Sequence, residues 1–91
     1  MAVTVKLPVQ LRPAAGGAAE ATVEGATVGE ALRNLFALYP ELQARIAEGD
    51  GTLRRFVNVY VGGEDIRFLE GEATPLEDGA ELTILPAVAG G

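Results

Sequence analysis

The sequence predicts an α+β domain in which one mixed β-sheet packs on one main helix. Three patterns lead there: apolar and polar residues alternate over 3–7, apolar residues recur at three- and four-residue spacing over 28–39, and period two returns over 55–61 and 81–85. Strands therefore flank a helix on both sides, and the connections are too short to divide the chain into two domains.

Val3, Val5 and Leu7 alternate with Thr4 and Lys6, as in a half-buried strand ending near Pro8. In LRPAAGGAAEATVEG, Pro13 and Gly16-Gly17 predict a flexible hairpin connection, with the second strand over residues 19–23. Thr27 and Glu30 have the spacing of a capping box, in which each side chain satisfies the other residue's free backbone N–H at a helix start. Val28, Ala31, Leu32, Leu35, Leu38 and Tyr39 then make one apolar helix face that must lie on the sheet. Pro40 bounds this helix, because the residue before a proline is pushed out of helical geometry. A short second helical turn is expected over residues 41–47, followed by a loop at EGDG.

The stretch RFVNVYV sets Val57, Val59 and Val61 towards the helix and Phe56, Asn58 and Tyr60 away from it. Gly62-Gly63 is a turn, EDIRF a short extended piece, and Asp78-Gly79 a turn before ELTIL. In that last strand Leu82 and Ile84 point one way, Thr83 and Leu85 the other. The economical assembly is a β-grasp, or ubiquitin-like, domain over residues 1–86 with a flexible tail at 87–91.

Composition narrows the chemistry. Ninety-one residues support one modest core. With no cysteine there is no disulfide, thiolate ligand or cysteine nucleophile, and with no histidine the commonest base near neutral pH and the commonest zinc ligand are missing. Thirteen acidic against seven basic residues give a net charge of −6, which opposes nucleic acid and anionic membranes and favours basic protein partners. Glu64, Asp65, Glu70, Glu72, Glu77, Asp78 and Glu81 either steer such partners or form a solvated face. MAVTVKLPV lacks a signal-peptide layout and no apolar run approaches the ~20 residues of a membrane span, so a cytoplasmic location is expected. The adjacent carboxylates of Glu64-Asp65 and Glu77-Asp78 point to opposite faces of a strand and make neither a metal site nor an acid–base pair. Gly16-Gly17 and Gly62-Gly63 lack the spacing of a phosphate loop.

One stretch remains, LPAVAGG. Glycine has no Cβ and can lie flat in a narrow channel, and Ala87, Val88, Ala89, Gly90 and Gly91, extended, reach roughly 17 Å. That suffices to insert a carboxylate into a buried partner site.

The segment LEDGAELTILPAVAGG resembles the close of the MoaD/ThiS sulfur carriers, where a D-G turn, a last strand, a proline and a flexible tail lead to a terminal Gly-Gly. Together with LRP and GG at 11–17, RFVNVYV and EDIRF, it resembles the CysO-type carriers of actinobacterial cysteine biosynthesis more than the molybdopterin or thiamine members. The resemblance implies that an E1-like enzyme uses ATP to adenylate Gly91, that a sulfur donor converts it to a thiocarboxylate, and that catalysis belongs to the partners, with no cofactor bound by this chain. The implied acceptor is a cysteine synthase-like enzyme carrying an aminoacrylate on pyridoxal phosphate, with a zinc-dependent peptidase trimming the product; a thiazole or thiosugar synthase-like enzyme is the alternative acceptor. A carrier holding sulfur on its own C-terminus needs neither cysteine nor histidine.

In the MoaD family an apolar residue before the tail proline packs on the adenylating enzyme, and Leu85 holds that position. Phe56 and Tyr60 join it if their strands are neighbours; otherwise either tucks under the loop at 48–54. Other functions open at this stage are a carrier for molybdopterin, thiamine or a thiolated natural product, a permanent small subunit of a synthase, a ubiquitin-like modifier, and a plain interaction module.

Overall fold

A computed structural model describes residues 2–49, 53–54 and 56–86. Among them are strands β1 (Ala2–Lys6), β2 (Glu20–Glu24), β3 (Val57–Val61), β4 (Glu64–Asp65) and β5 (Glu81–Pro86), and helices α1 (Val28–Leu38) and α2 (Pro40–Ile46). The strands form one mixed sheet in the order β2-β1-β5-β3-β4. The first and last strands run parallel side by side, and the remaining pairs are antiparallel.

Period two decides what each strand buries. Val3, Val5, Ala21, Val23, Val57, Val59, Leu82 and Ile84 are buried in one cluster with Val28, Ala31, Leu32, Leu35 and Phe36 of α1 and Leu42 and Ile46 of α2. The intervening strand residues form the opposite face, away from that cluster. On α1, Leu38 is 57% exposed while Phe36 is buried. At about 100° per residue the two lie on opposite flanks of the apolar stripe, and only the Phe36 flank is covered. Tyr39 is partly buried against the core, as the spacing predicts.

The helix start carries a modified capping box. Thr27 Oγ1 accepts the Glu30 N–H at 3.2 Å, but Glu30 Oε1 accepts the Ala26 N–H at 3.1 Å, one residue before the cap. The entering chain is held there by Leu76, whose N–H donates to the Ala26 carbonyl at 2.8 Å, and by the Val28 N–H donating to Thr74 O at 3.0 Å. Thr27→Ala should lower stability by about 1 kcal/mol, read as a lower urea midpoint at unchanged slope. Just before it, Gly25 lets the end of β2 pass against α1: a Cβ there would stand 2.7 Å from the Ala31 backbone nitrogen.

Two connections differ from the expectation. Val9–Ala15 does join the antiparallel neighbours β1 and β2, but as a 3-10 helix with Pro13 inside it and not as a flexible connection, and it buries Leu11, Ala14 and Ala15 beside α2. The physical reason is that Leu11 and Ala14 sit three apart, on one side of a helix with three residues per turn. EDIRF is extended only at Glu64–Asp65. Asp65 Oδ1 accepts the Arg67 N–H at 2.8 Å and turns the chain into a 3-10 helix over Ile66–Phe68, with Ile66 buried. The preceding Gly62 and Gly63, at φ of +56° and +89°, make the tight turn that sets Val61 opposite Glu64. Asp78 likewise accepts the Ala2 N–H at 2.9 Å, so both acidic dipeptides contain a turn-fixing residue. Among the described residues no cluster of acidic residues could hold a metal ion.

Candidate functional site

The tail residues Ala87, Val88, Ala89, Gly90 and Gly91 lie outside the described residues, and the structure places their root. Strand β5 ends at Pro86, opposite Val57 of β3; Leu85 faces Asn58, Ile84 faces Val59, and Thr83 faces Tyr60. The strands bearing Leu85 and Tyr60 are therefore neighbours. Directly opposed residues share a face, so Leu85, Asn58, Thr83 and Tyr60 project together from the side away from the core. Leu85 is 44% exposed although its neighbour Ile84 is fully buried. Tyr60 is half-buried on a diagonal from Leu85, and Phe56, in the turn entering β3, is exposed.

The open face has two ends of different character. Towards β1 and β2 it is polar, with Lys6 Nζ 3.7 Å from Glu81 Oε2, Glu20 opposite Lys6, and Thr4 opposite Thr22. Towards the end of β5 it is mixed, with Leu85, Phe56 and Tyr60 exposed or half-buried around Asn58. Isolated exposed apolar side chains are ordinary, but a group of them near the end of the last strand suits a docking surface.

One residue at this end escaped sequence reasoning. Arg67 donates from Nη1 to Asn58 Oδ1 at 2.7 Å and from Nη2 to the Val57 carbonyl at 3.0 Å, and its Nη1 lies 3.9 Å from Asp65 Oδ2. No spacing rule links 67 to 57 and 58; only the short β4 hairpin brings them together. Beside them a cleft of about 460 Å³ is lined by residues that include Leu53, Val57, Val59, Ile66, Arg54 and Arg67. Among the described residues its lining has no hydroxyl, thiol or imidazole.

A β-grasp sheet whose last strand ends at Pro86 with Leu85 exposed agrees with the resemblance to sulfur carriers, and the sequence matches the ThiS family over residues 5–91. The chain belongs to the ThiS family. It is a sulfur carrier of the ThiS and CysO type, a protein co-substrate and not a catalyst. The sulfur carrier protein CysO of Mycobacterium tuberculosis is 46% identical over 93 residues, covering 100% of both chains. CysO of Amycolatopsis orientalis, solved in a complex with BexX, matches with a TM-score of 0.87 at 44% identity, over 98% of this chain and 99% of that one. Small archaeal modifier protein 1 of Methanosarcina acetivorans matches with a TM-score of 0.87 at 40% identity, over 99% of this chain and 96% of that one. The carrier thus has the ubiquitin-like β-grasp fold, and among its described residues no helix is long and apolar enough to cross a membrane.

Proposed function

We propose that the carrier works through the carboxylate of Gly91 and serves cysteine biosynthesis. An activating enzyme transfers AMP from ATP to that carboxylate and releases pyrophosphate. Sulfide then attacks the acyl carbon, AMP leaves with one of the original carboxylate oxygens, and a thiocarboxylate remains. The thiocarboxylate sulfur next bonds to an electrophilic carbon in an acceptor enzyme. Gly90, Ala89, Val88 and Ala87 form the slim thread that brings the reacting carbon into each partner, while Leu85, Phe56 and Tyr60 hold the partner's surface. The carrying observation is the position of Leu85: exposed on the open face, one residue before the tail proline.

The cysteine assignment is supported by the full-length likeness to CysO and by the joint presence of RFVNVYV, EDIRF and TILPAVAGG. Intact mass spectrometry after incubation with ATP, a sulfide source and the activating enzyme tests the chemistry. A gain matching one oxygen exchanged for sulfur, located to Gly91 by fragmentation, is the expected result; no gain where a known carrier is loaded would refute it. Loaded protein offered separately to cysteine synthase-like and thiosugar synthase-like enzymes then identifies the acceptor, cysteine formation being the expected product. The likeness to a small archaeal modifier protein favours one second reading, attachment to lysines of other proteins. Lysine side chains carrying the branch from Phe68 to Gly91 in tryptic digests of the source cell would reveal it.

A further inference from the structure

RFVNVYV and EDIRF, two motifs that carry the family likeness, are joined at one end by the β3–β4 ladder and at the other by the Arg67 side chain. Strand β4 pairs only with Tyr60 and Val61, so the part of β3 from Val57 to Val59 is not laddered to it. In that gap the Arg67 fork spans the Val57 carbonyl at 3.0 Å and the Asn58 side-chain oxygen at 2.7 Å. Val57 is the residue registered with Pro86, and Asn58 the one registered with Leu85. The backbone of Arg67 is itself fixed by Asp65, and Ile66 next to it is anchored in the core. The guanidinium is thus tied on one side to a rigid turn and on the other to the two β3 residues that hold the root of the tail.

We infer that Arg67 is a positioning residue for sulfur loading: it fixes the end of β3 against which Leu85 and Pro86 are registered, and so aims the docking patch and the tail together. This rests on the carrier reading above. Planarity is what the role needs, because a fork with two nitrogens can span two acceptors at once, whereas a lysine ammonium presents a single point of charge.

The first comparison needs no partner. In Arg67→Ala, amide hydrogen exchange at Asn58, Ile84 and Leu85 should accelerate while the β1–β2 amides keep their protection. The second is kinetic. Arg67→Ala should raise the KM of the carrier for the activating enzyme about tenfold at little changed kcat, as expected when bonds to a charged group that orient a docking surface are lost. Asn58→Ala should do the same, with the double variant no worse than either single one, and Arg67→Lys should fail to rescue. Thr27→Ala, which weakens the distant helix start, should leave KM unchanged and so separates aiming from mere destabilisation. Unchanged exchange, an unchanged KM in Arg67→Ala, full rescue by lysine, or an equal rise of KM in Thr27→Ala would each overturn the inference. If the wild-type protein takes up no sulfur, the carrier reading falls instead, and the exchange comparison decides whether Arg67 holds the tail root.

Discussion

Deleting Gly90 and Gly91 abolishes sulfur loading and leaves thermal unfolding where it was. The two halves of this expectation have separate causes. In the function proposed above the reacting carbon belongs to Gly91, so a chain ending at Ala89 lacks it. The buried apolar cluster among the described residues, by contrast, runs from Val3 to Ile84, and the deletion removes none of those side chains. Circular dichroism melts of the full and shortened chains should therefore coincide, while intact masses after incubation with ATP, sulfide and the activating enzyme should differ. A shortened chain that still gained sulfur at Ala89 would mean that the enzyme accepts any slim terminus, and the glycines would lose their assigned part.

Ile84→Ala and Leu85→Ala, neighbours on one strand, should fail in opposite ways. Ile84 is fully buried, and truncating a residue of that kind costs about 2–5 kcal/mol through lost burial and the cavity left behind. In a domain whose whole stability is of the order of 5–15 kcal/mol, that is a large share, visible as a collapsed urea midpoint. Leu85→Ala should change stability by no more than about 0.5 kcal/mol, since the side chain is already half in water. Its cost falls on the complex: an exposed apolar anchor at a docking centre is worth about 2 kcal/mol, so the dissociation constant for the activating enzyme should rise roughly thirtyfold. Titration calorimetry reads this directly, and an unchanged constant removes Leu85 from the interface.

The opposite fates of these two residues were legible in ELTIL, because a strand's side chains alternate whatever it packs on. The Thr27 cap and the Gly62-Gly63 turn were legible for the same reason: they depend on a few consecutive residues. The 3-10 helix at Val9–Ala15 was hidden behind Pro13 and the glycine pair, which advertise a loop more loudly than Leu11 and Ala14 advertise a buried side. The turn within EDIRF was hidden too, since it follows from where Asp65 stands after the hairpin.

By itself, the sequence determined the α+β class, the alternation that separates core from open face, the helix start, the absence of cysteine and histidine chemistry, and the slim Gly-Gly terminus. These are properties of composition and of short-range periodicity, set by backbone geometry within a few residues. Only the tertiary structure decided that β5 lies between β1 and β3, that Leu85 therefore stands beside Asn58, and that Arg67 reaches across to Asn58 and the Val57 carbonyl. Strand order and register come from packing the whole core at once, so contacts between residues far apart in the chain leave no mark in any short stretch of it.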